Sequence, residues 1–328
     1  MKGDVVGILE AAYRPAESEE AWLKELVAAA EPTITRGLGV VGHFYDWSDP
    51  QCPRAWGAMG STTGEIIRPL TAPPPEIIRT FFRVPTTGVT ASQHVGRDVW
   101  SALPEREILL APLGVKDVLG LVCSDPVQRG CILQAPIARL FSVPVRLTAL
   151  FRLIAVHAAA GLRLLRAEPA PPEAVLHPDG RLAHAERAAK DQASRAALQQ
   201  LAREIDRARG RLRRTDPENA VRIWEGLAEA RWSLVDQFES DGRRFVVARR
   251  NDVRLAGARV LTTRERHVAA YAAIGHPNKY IAYALGVTAS TVATHLAAAK
   301  RKLGIRTRAE LARYVGSLVA AAQAREAP

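Results

Sequence analysis

Between Leu261 and Leu318 the chain carries an ordered series of helix starts and stops, and no other stretch constrains the fold as tightly. Thr262 and Glu265 have the T-x-x-E spacing of a capping box, in which each side chain satisfies an orphan backbone N–H of the first turn. The spacing predicts a helix that runs to Ile274 and stops at Gly275, since glycine readily adopts the left-handed backbone that ends helices. Asn278 to Leu285 reads as a second, short helix closed by Gly286. Thr288 caps a third, which runs to Leu303 and is closed by Gly304. Thr307 and Glu310 repeat the box and open a fourth helix, with Leu311, Tyr314, Val315 and Leu318 on one side. Two short helices joined by Leu285-Gly286-Val287 have the spacing of a helix-turn-helix.

The third helix divides into two faces. Val292, Leu296, Ala299 and Leu303 form a stripe that would pack inward. Ser290, Thr294, Ala297 and Arg301 lie opposite, with Ala293 at the edge. A helix in a DNA major groove needs slender side chains where bases approach and cations where phosphates flank it. High helix propensity alone would give the same Ala-rich face, and on these residues the two readings stand level.

The wider pattern resembles the LuxR-type (GerE-like) DNA-binding domain of bacterial transcription factors. LTTRER opens it, NKYIAYALGV supplies the scaffold helix and turn, STVATHL the recognition helix, and KRKLGIRTRAEL the last turn and fourth helix. The resemblance implies four helices, the third in the major groove and the fourth (Leu311, Tyr314, Val315, Leu318) available for dimerisation. It places Ser290, Ala293, Thr294 and Ala297 toward bases, and Lys279 and Thr291 at phosphates, with Lys300, Arg301, Lys302 and Arg306 adding to that set. It also implies double-stranded DNA as partner, a homodimer, and RNA polymerase as a further contact. Two departures stand out: Ala293 where the family often has Lys or Arg, and Tyr280 where it commonly has Glu. Without a long cation at 293, the expected preference rests on thymine methyls, DNA shape and phosphates rather than on guanine contacts. His295 reads first as a packed or hydrogen-bonded side chain and second as a phosphate contact.

Charge agrees with that placement. Residues 1–180 hold 17 Lys and Arg against 19 Asp and Glu, while residues 181–328 hold 28 against 15, so the entire positive excess lies C-terminal. Such asymmetry suits a polyanion partner, though a solvated basic face would look the same.

The remaining 260 residues exceed one small domain. Residues 1–166 read as an α+β unit. Ser18 caps a helix to about Ala30, Leu38–Tyr45 and Arg54–Met59 are strands, and a triple proline at 73–75 starts a helix from Glu76 to Phe82. Strands follow at Glu107–Val115, Val118–Cys123 and Cys131–Gln134, then a long helix over Val143–Leu165. The expected fold class is α+β: an antiparallel sheet covered on one face, a helical connector with a hairpin, and an all-α four-helix C-terminal domain. The segment EILLAPLGVKDVLGLVCSD followed by PVRLTALFRLIAVHAAAGLRL resembles a GAF sensory domain, a relative of the PAS fold. That resemblance implies an apolar pocket for an effector of unknown identity, or a dimer or protein contact.

The remaining boundaries follow from composition. Residues 167–180 are Pro-rich and read as a linker. Residues 181–231 read as a helical connector. Leu198, Leu201, Ile205, Ala208 and Leu212 make about two heptads of seam within it, for self-pairing or for packing on its own domain. Asp216-Pro217 opens a further helix to about Ala230. Residues 232–259 read as a hairpin, turning at Asp241-Gly242, and a basic linker. Arg243, Arg244, Arg249 and Arg250 keep its edge soluble or approach DNA, the first being favoured. Residues 260–320 are the helix-turn-helix domain and 321–328 a frayed tail.

Enzyme chemistry finds no support. There is no Walker A run, no GxGxxG and no receiver-type acidic cluster with its lysine. Cys52, Cys123 and Cys131 form no CxxC pair, so neither a disulfide framework nor a zinc module is expected, and no metal or cofactor. His43, Tyr45, Trp47, Trp56 and Cys123 are the side chains to watch for an effector pocket, against the plainer reading that they are core and rim. The run Ala149–Leu165 is broken by Arg152, His157 and Arg163 and is not expected to span a membrane, so a cytoplasmic protein is expected. Three functions follow in order: a one-component regulator with a sensory domain, a regulator whose N-terminal part only dimerises or binds a protein, and an enzyme with a DNA-binding tail.

Overall fold

The computed structural model describes residues 3–46, 54–71, 88–124, 129–166, 172–217, 219–221, 223–224, 232–240, 243–250, 261–273, 275–303, 305–312 and 314. Trp47, Cys52, the 76–82 helix, the Asp241-Gly242 turn, the 251–259 linker, Val315, Leu318 and the 321–328 tail lie outside the described residues.

The chain opens with α1 (Val5–Tyr13) and α2 (Glu19–Ile34). Ser18 caps α2 as expected, its hydroxyl accepting from the Ala21 N–H at 3.1 Å, and the helix continues one turn past Ala30. Strands β1 (Val41–Asp46) and β2 (Arg54–Gly60) follow, then α3 (Gly64–Thr71), β3 (Val89–Thr90), α4 (Ala91–Val95), α5 (Arg97–Ala102) and α6 (Pro104–Leu109). β4 (Asp117–Ser124), β5 (Arg129–Ile137) and α7 (Val145–Arg166) complete the first unit. Its sheet has the order β2-β1-β5-β4-β3, with every neighbouring pair antiparallel.

One expectation fails here. No strand forms over Glu107–Val115: its first residues end α6 and Ala111–Leu113 makes a 3-10 turn. Pro104 sits in the first turn of α6 with Glu105 and Glu107, a good helix start that outweighs the apolar run Ile108–Leu110.

The sheet is covered on both faces rather than on one as expected, because α3 and α5 supply a second apolar layer. Phe44, Leu119, Leu121, Cys131 and Leu133 pack against α1, α2 and α7, while Val41 and Val118 meet Ile66, Leu70 and Trp100 on the other side. Helices α1 and α7 touch at Gly161, where a Cβ would lie 1.7 Å from the Ala12 carbonyl oxygen, so only glycine permits this approach. α7 is long and apolar enough to cross a membrane by length and composition, yet 61% of its most apolar stretch is buried inside the protein.

The linker-and-connector expectation is corrected more deeply. Strands β6 (Ala174–Leu176) and β7 (Leu182–Ala185), helix α8 (Gln192–Arg207) and the hairpin β8 (Trp232–Ser240) and β9 (Arg243–Arg250) form a second antiparallel sheet, in the order β7-β6-β9-β8. Part of the Pro-rich segment is therefore a central strand, because Ala174 and Leu176 alternate inward and are fully buried. The heptad seam is used at home: Leu198, Leu201, Ile205 and Ala208 are buried against this sheet, in a core continuous with that of the first unit. Helical residues between 217 and 224 bring Trp224 onto Tyr13, stacked at 6.1 Å between ring centres.

The C-terminal domain has its own core, formed by α9 (Thr263–Ala273), α10 (Asn278–Leu285), α11 (Ala289–Leu303) and a turn of helix over 308–312. Val156 of α7 reaches into that core, so the domain is docked on the first unit.

Candidate nucleic-acid interface

The capping box that opens α9 forms as its spacing implies. The Thr262 hydroxyl accepts from the Glu265 N–H at 3.3 Å, and the Glu265 carboxylate accepts from the Thr262 N–H at 2.8 Å. Glu265 does more than cap: Lys302 of α11 donates to the same carboxylate at 2.8 Å. The Lys302 ammonium, aided by the Thr262 N–H, holds the Glu265 carboxyl below the usual range although its burial opposes this. Residue types alone could not have revealed this pairing, because it joins positions 37 apart.

The turn between α10 and α11 rests on Gly286, whose φ of +61° lies in the left-handed region. The Val287 N–H donates back to the Ala282 carbonyl at 3.0 Å, and Arg264 donates to the Leu285 carbonyl at 2.9 Å. These bonds fix α10 and α11 at 101° to each other, within the range of a helix-turn-helix. Thr288 caps α11 by accepting from the Thr291 N–H at 3.1 Å. The second box is modified. Thr307 accepts from the Glu310 N–H at 3.1 Å, but the Glu310 carboxylate takes the N–H of Arg306, one residue earlier than the pattern requires.

α11 presents the two faces read from its sequence. Val292, Leu296 and Ala299 are buried, whereas Ser290, Ala293, Thr294 and Ala297 are all exposed. The Thr294 hydroxyl donates to the Ser290 carbonyl at 3.1 Å, which leaves its methyl as the projecting group. His295 is half-buried beside the inward stripe. Arg301 and Arg306 are exposed, Thr291 is half-buried, and Lys279 is exposed in the first turn of α10. Lys300 is half-buried and donates to the Arg306 carbonyl at 3.1 Å. Together with Lys302, it is engaged within the domain.

The expected dimer face is reshaped. Leu311 is fully buried in the domain's own core, and Tyr314 is half-buried against it. Tyr280, the departure on the scaffold helix, is buried and stacks on His276 at 4.0 Å between ring centres. Burial pushes its hydroxyl well above the usual tyrosine range, so it acts as a packing residue.

The described side chains among those watched for an effector pocket do not converge. His43 and Tyr45 point to one face of the first sheet, with Val122 and Ile132, while Cys123 and Phe44 belong to the opposite core. Trp56 lies against Phe44 at 5.9 Å, hence on the Cys123 side. The alternation of strand side chains separates them. Cys123 is buried directly opposite Cys131, and the neighbouring thiol together with burial raises its pKa well above the thiol range, so it is no nucleophile. His43 is held neutral by burial, with its pKa lowered to about 4. The described residues contain no cluster of His, Cys, Asp or Glu able to hold a metal ion. In the second sheet, Arg244 pairs with Asp206 of α8 at 3.2 Å.

A scaffold helix and a second helix crossing at 101°, with a buried stripe beneath a slender exposed face, define a helix-turn-helix domain of the DNA-reading kind. Residues 259–315 match the family of bacterial regulatory proteins, luxR family. A 58-residue stretch is 47% identical to the transcriptional regulatory protein MctR of Rhizobium johnstonii, covering 18% of this chain and 27% of that protein's length. No solved structure matches the chain. The C-terminal domain is thus a LuxR-type helix-turn-helix.

Proposed function

We propose that the protein is a one-component transcriptional regulator that binds double-stranded DNA as a homodimer, with α11 in the major groove and the N-terminal units sensing a small molecule. The observation that carries the reading is the exposed row Ser290, Ala293, Thr294 and Ala297 on the second helix of a LuxR-type domain. With Thr291 on the same helix, Arg301 and Arg306 at its far end and Lys279 exposed on α10, the domain joins slender base-facing groups to phosphate-seeking cations. The projecting Thr294 methyl and the small Ala293 favour thymine methyls over guanine edges. Dimerisation would fall to Tyr314 and the residues after it, since Leu311 is committed to the domain core.

The sensing role draws on the first sheet. Its five-stranded antiparallel form between helices supports the GAF/PAS-like reading. On the His43 face, His43 Nδ1 and Gln134 Oε1 are buried without a hydrogen-bond partner among the described residues. A Cβ on Gly120, opposite Gln134, would meet nothing within 4 Å. Buried polar atoms beside open space are what a small ligand satisfies.

The test is selection of full-length protein on a random duplex pool, followed by fluorescence anisotropy across a salt series. Binding that weakens steeply with salt and favours an A/T-containing consensus is expected. A half-site centred on an essential G, lost only when Ala293 or Thr294 is changed, would overturn the base-reading scheme. Absence of binding to any duplex would overturn the regulator reading.

A further inference from the structure

A cavity of about 1590 Å³ lies where three parts of the chain meet: α1, α2 and α7 of the first unit, the segment after α8, and α10 of the helix-turn-helix. Among the described residues, eight cationic side chains and one carboxylate, Asp4, line it. Arg213 is neutralised by Asp4 and Glu10. By contrast Arg146, Arg152, Arg211, Arg214 and Lys279 have no carboxylate within ion-pair distance among the described residues. Arg209 stands in the same wall, paired with Glu10 at 3.4 Å, while its Nη1 is buried without a hydrogen-bond partner among the described residues. The helical segment Ala208–Leu212 that follows α8 breaks beside it at Gly210 (φ −88°, ψ −113°), and Arg209, Arg211 and Arg214 all border one space.

Clustering like charges around a concave, partly apolar space focuses the positive potential there and raises the local concentration of anions. A surface salt-seeking patch would not enclose Leu147, Leu150 and Leu153 as well. We propose that this cavity binds a small organic polyphosphate, its phosphates held by Arg211, Arg214 and Lys279 and its apolar body against α7. Guanidinium groups grip phosphate through paired N–H donors, which suits an arginine-dominated wall. The site differs from the His43 face of the first sheet, because its walls come from α1, α2 and α7, which cover the opposite face. Lys279 gives it a consequence that rests on the DNA reading: a ligand phosphate and a DNA phosphate compete for one ammonium. The bound polyphosphate would therefore hold α10 docked and weaken DNA binding.

The experiment is calorimetric titration of full-length protein with ATP, inorganic triphosphate and adenosine at constant ionic strength, without DNA. ATP and triphosphate are expected to bind and adenosine to fail. Arg211→Ala with Arg214→Ala should weaken ATP binding about 100-fold, roughly tenfold for each charged contact removed. Arg301→Ala, far along α11, should leave it unchanged. Lys279→Ala should weaken it about tenfold, a second readout should the double variant unfold. No binding by any probe, or equal weakening by Arg301→Ala, would overturn the site. A loss of DNA affinity in the double variant without added anion would also overturn it and give these arginines to the duplex. ATP binding without DNA binding would sink the regulator reading alone, and DNA binding without ATP binding would sink this one alone.

Discussion

Lys302 and Glu265 sit 2.8 Å apart, tying the last turn of α11 to the first turn of α9 across the helix-turn-helix. The carboxylate is buried and also caps α9, so it answers two demands at once. Lys302→Ala removes one charge-assisted bond and should cost about 1 kcal/mol. Glu265→Ala should cost more, because it also removes the cap. Since the Glu265 carboxyl is held below its ordinary value, this stabilisation is complete at neutral pH and is lost as pH falls through the lowered value. Thermal melts of the two variants at pH 7 check the order, and equal costs would refute it.

Arg301 is the contrasting cation, exposed and with no ion pair among the described residues. Its replacement by Ala should leave the melting temperature unchanged while reducing the salt slope of DNA binding by about one counterion. Lys302→Ala should reduce that slope much less. A larger slope change for Lys302 would return it to the phosphate-binding set.

Ala293 tests the base-facing surface directly. Ala293→Glu places a carboxylate where the duplex approaches and should weaken binding at least about tenfold, with no change in melting temperature because the position is exposed. Unaltered DNA affinity would mean that α11 does not enter the groove by this face.

Gly161 tests the packing of the first unit. Gly161→Ala drives a methyl to 1.7 Å from the Ala12 carbonyl and must part α1 from α7, at a cost of about 3 kcal/mol. Denaturant unfolding measures this, and a cost below about 1 kcal/mol would show that the helices separate freely.

Three of the buried histidines set the acid limit. Burial lowers the pKa of His43 to about 4 and those of His157 and His276 to about 3, the last also through the charge of Arg152. Each stays neutral in the folded chain but takes up a proton once unfolded, at a pKa of about 6.5. The unfolded state therefore binds more protons, and stability is full above about pH 6.5 and falls as pH drops toward 3 to 4. The fall approaches about 1.4 kcal/mol per pH unit for each histidine. Melts from pH 7.5 to 5 should decline steeply, and His157→Gln should flatten the profile. A profile flat down to pH 5 would refute the assignment.

Legibility followed the range of the interactions involved. The caps at Ser18, Thr262 and Thr288, the Gly286 turn and the inward stripe Val292, Leu296, Ala299 were readable because each rests on residues within about one helical turn. The strand Ala174–Leu176 was not, since three residues among prolines become a strand only when β7 and β9 flank them. Glu107–Val115 misled because apolar content alone does not separate a buried strand from a short helix.

The sequence by itself determined the helix-turn-helix, the identity of its exposed face and the C-terminal excess of positive charge, all products of local spacing and composition. Tertiary structure alone decided the rest. It turned the heptad seam of α8 onto its own sheet, divided His43 and Tyr45 from Cys123, took Lys302 and Leu311 into the domain, and gathered Arg152, Arg211 and Lys279 around one cavity. Each of these outcomes joins residues far apart in the chain, and their meeting is fixed by how sheets and helices close over apolar surface rather than by any local pattern.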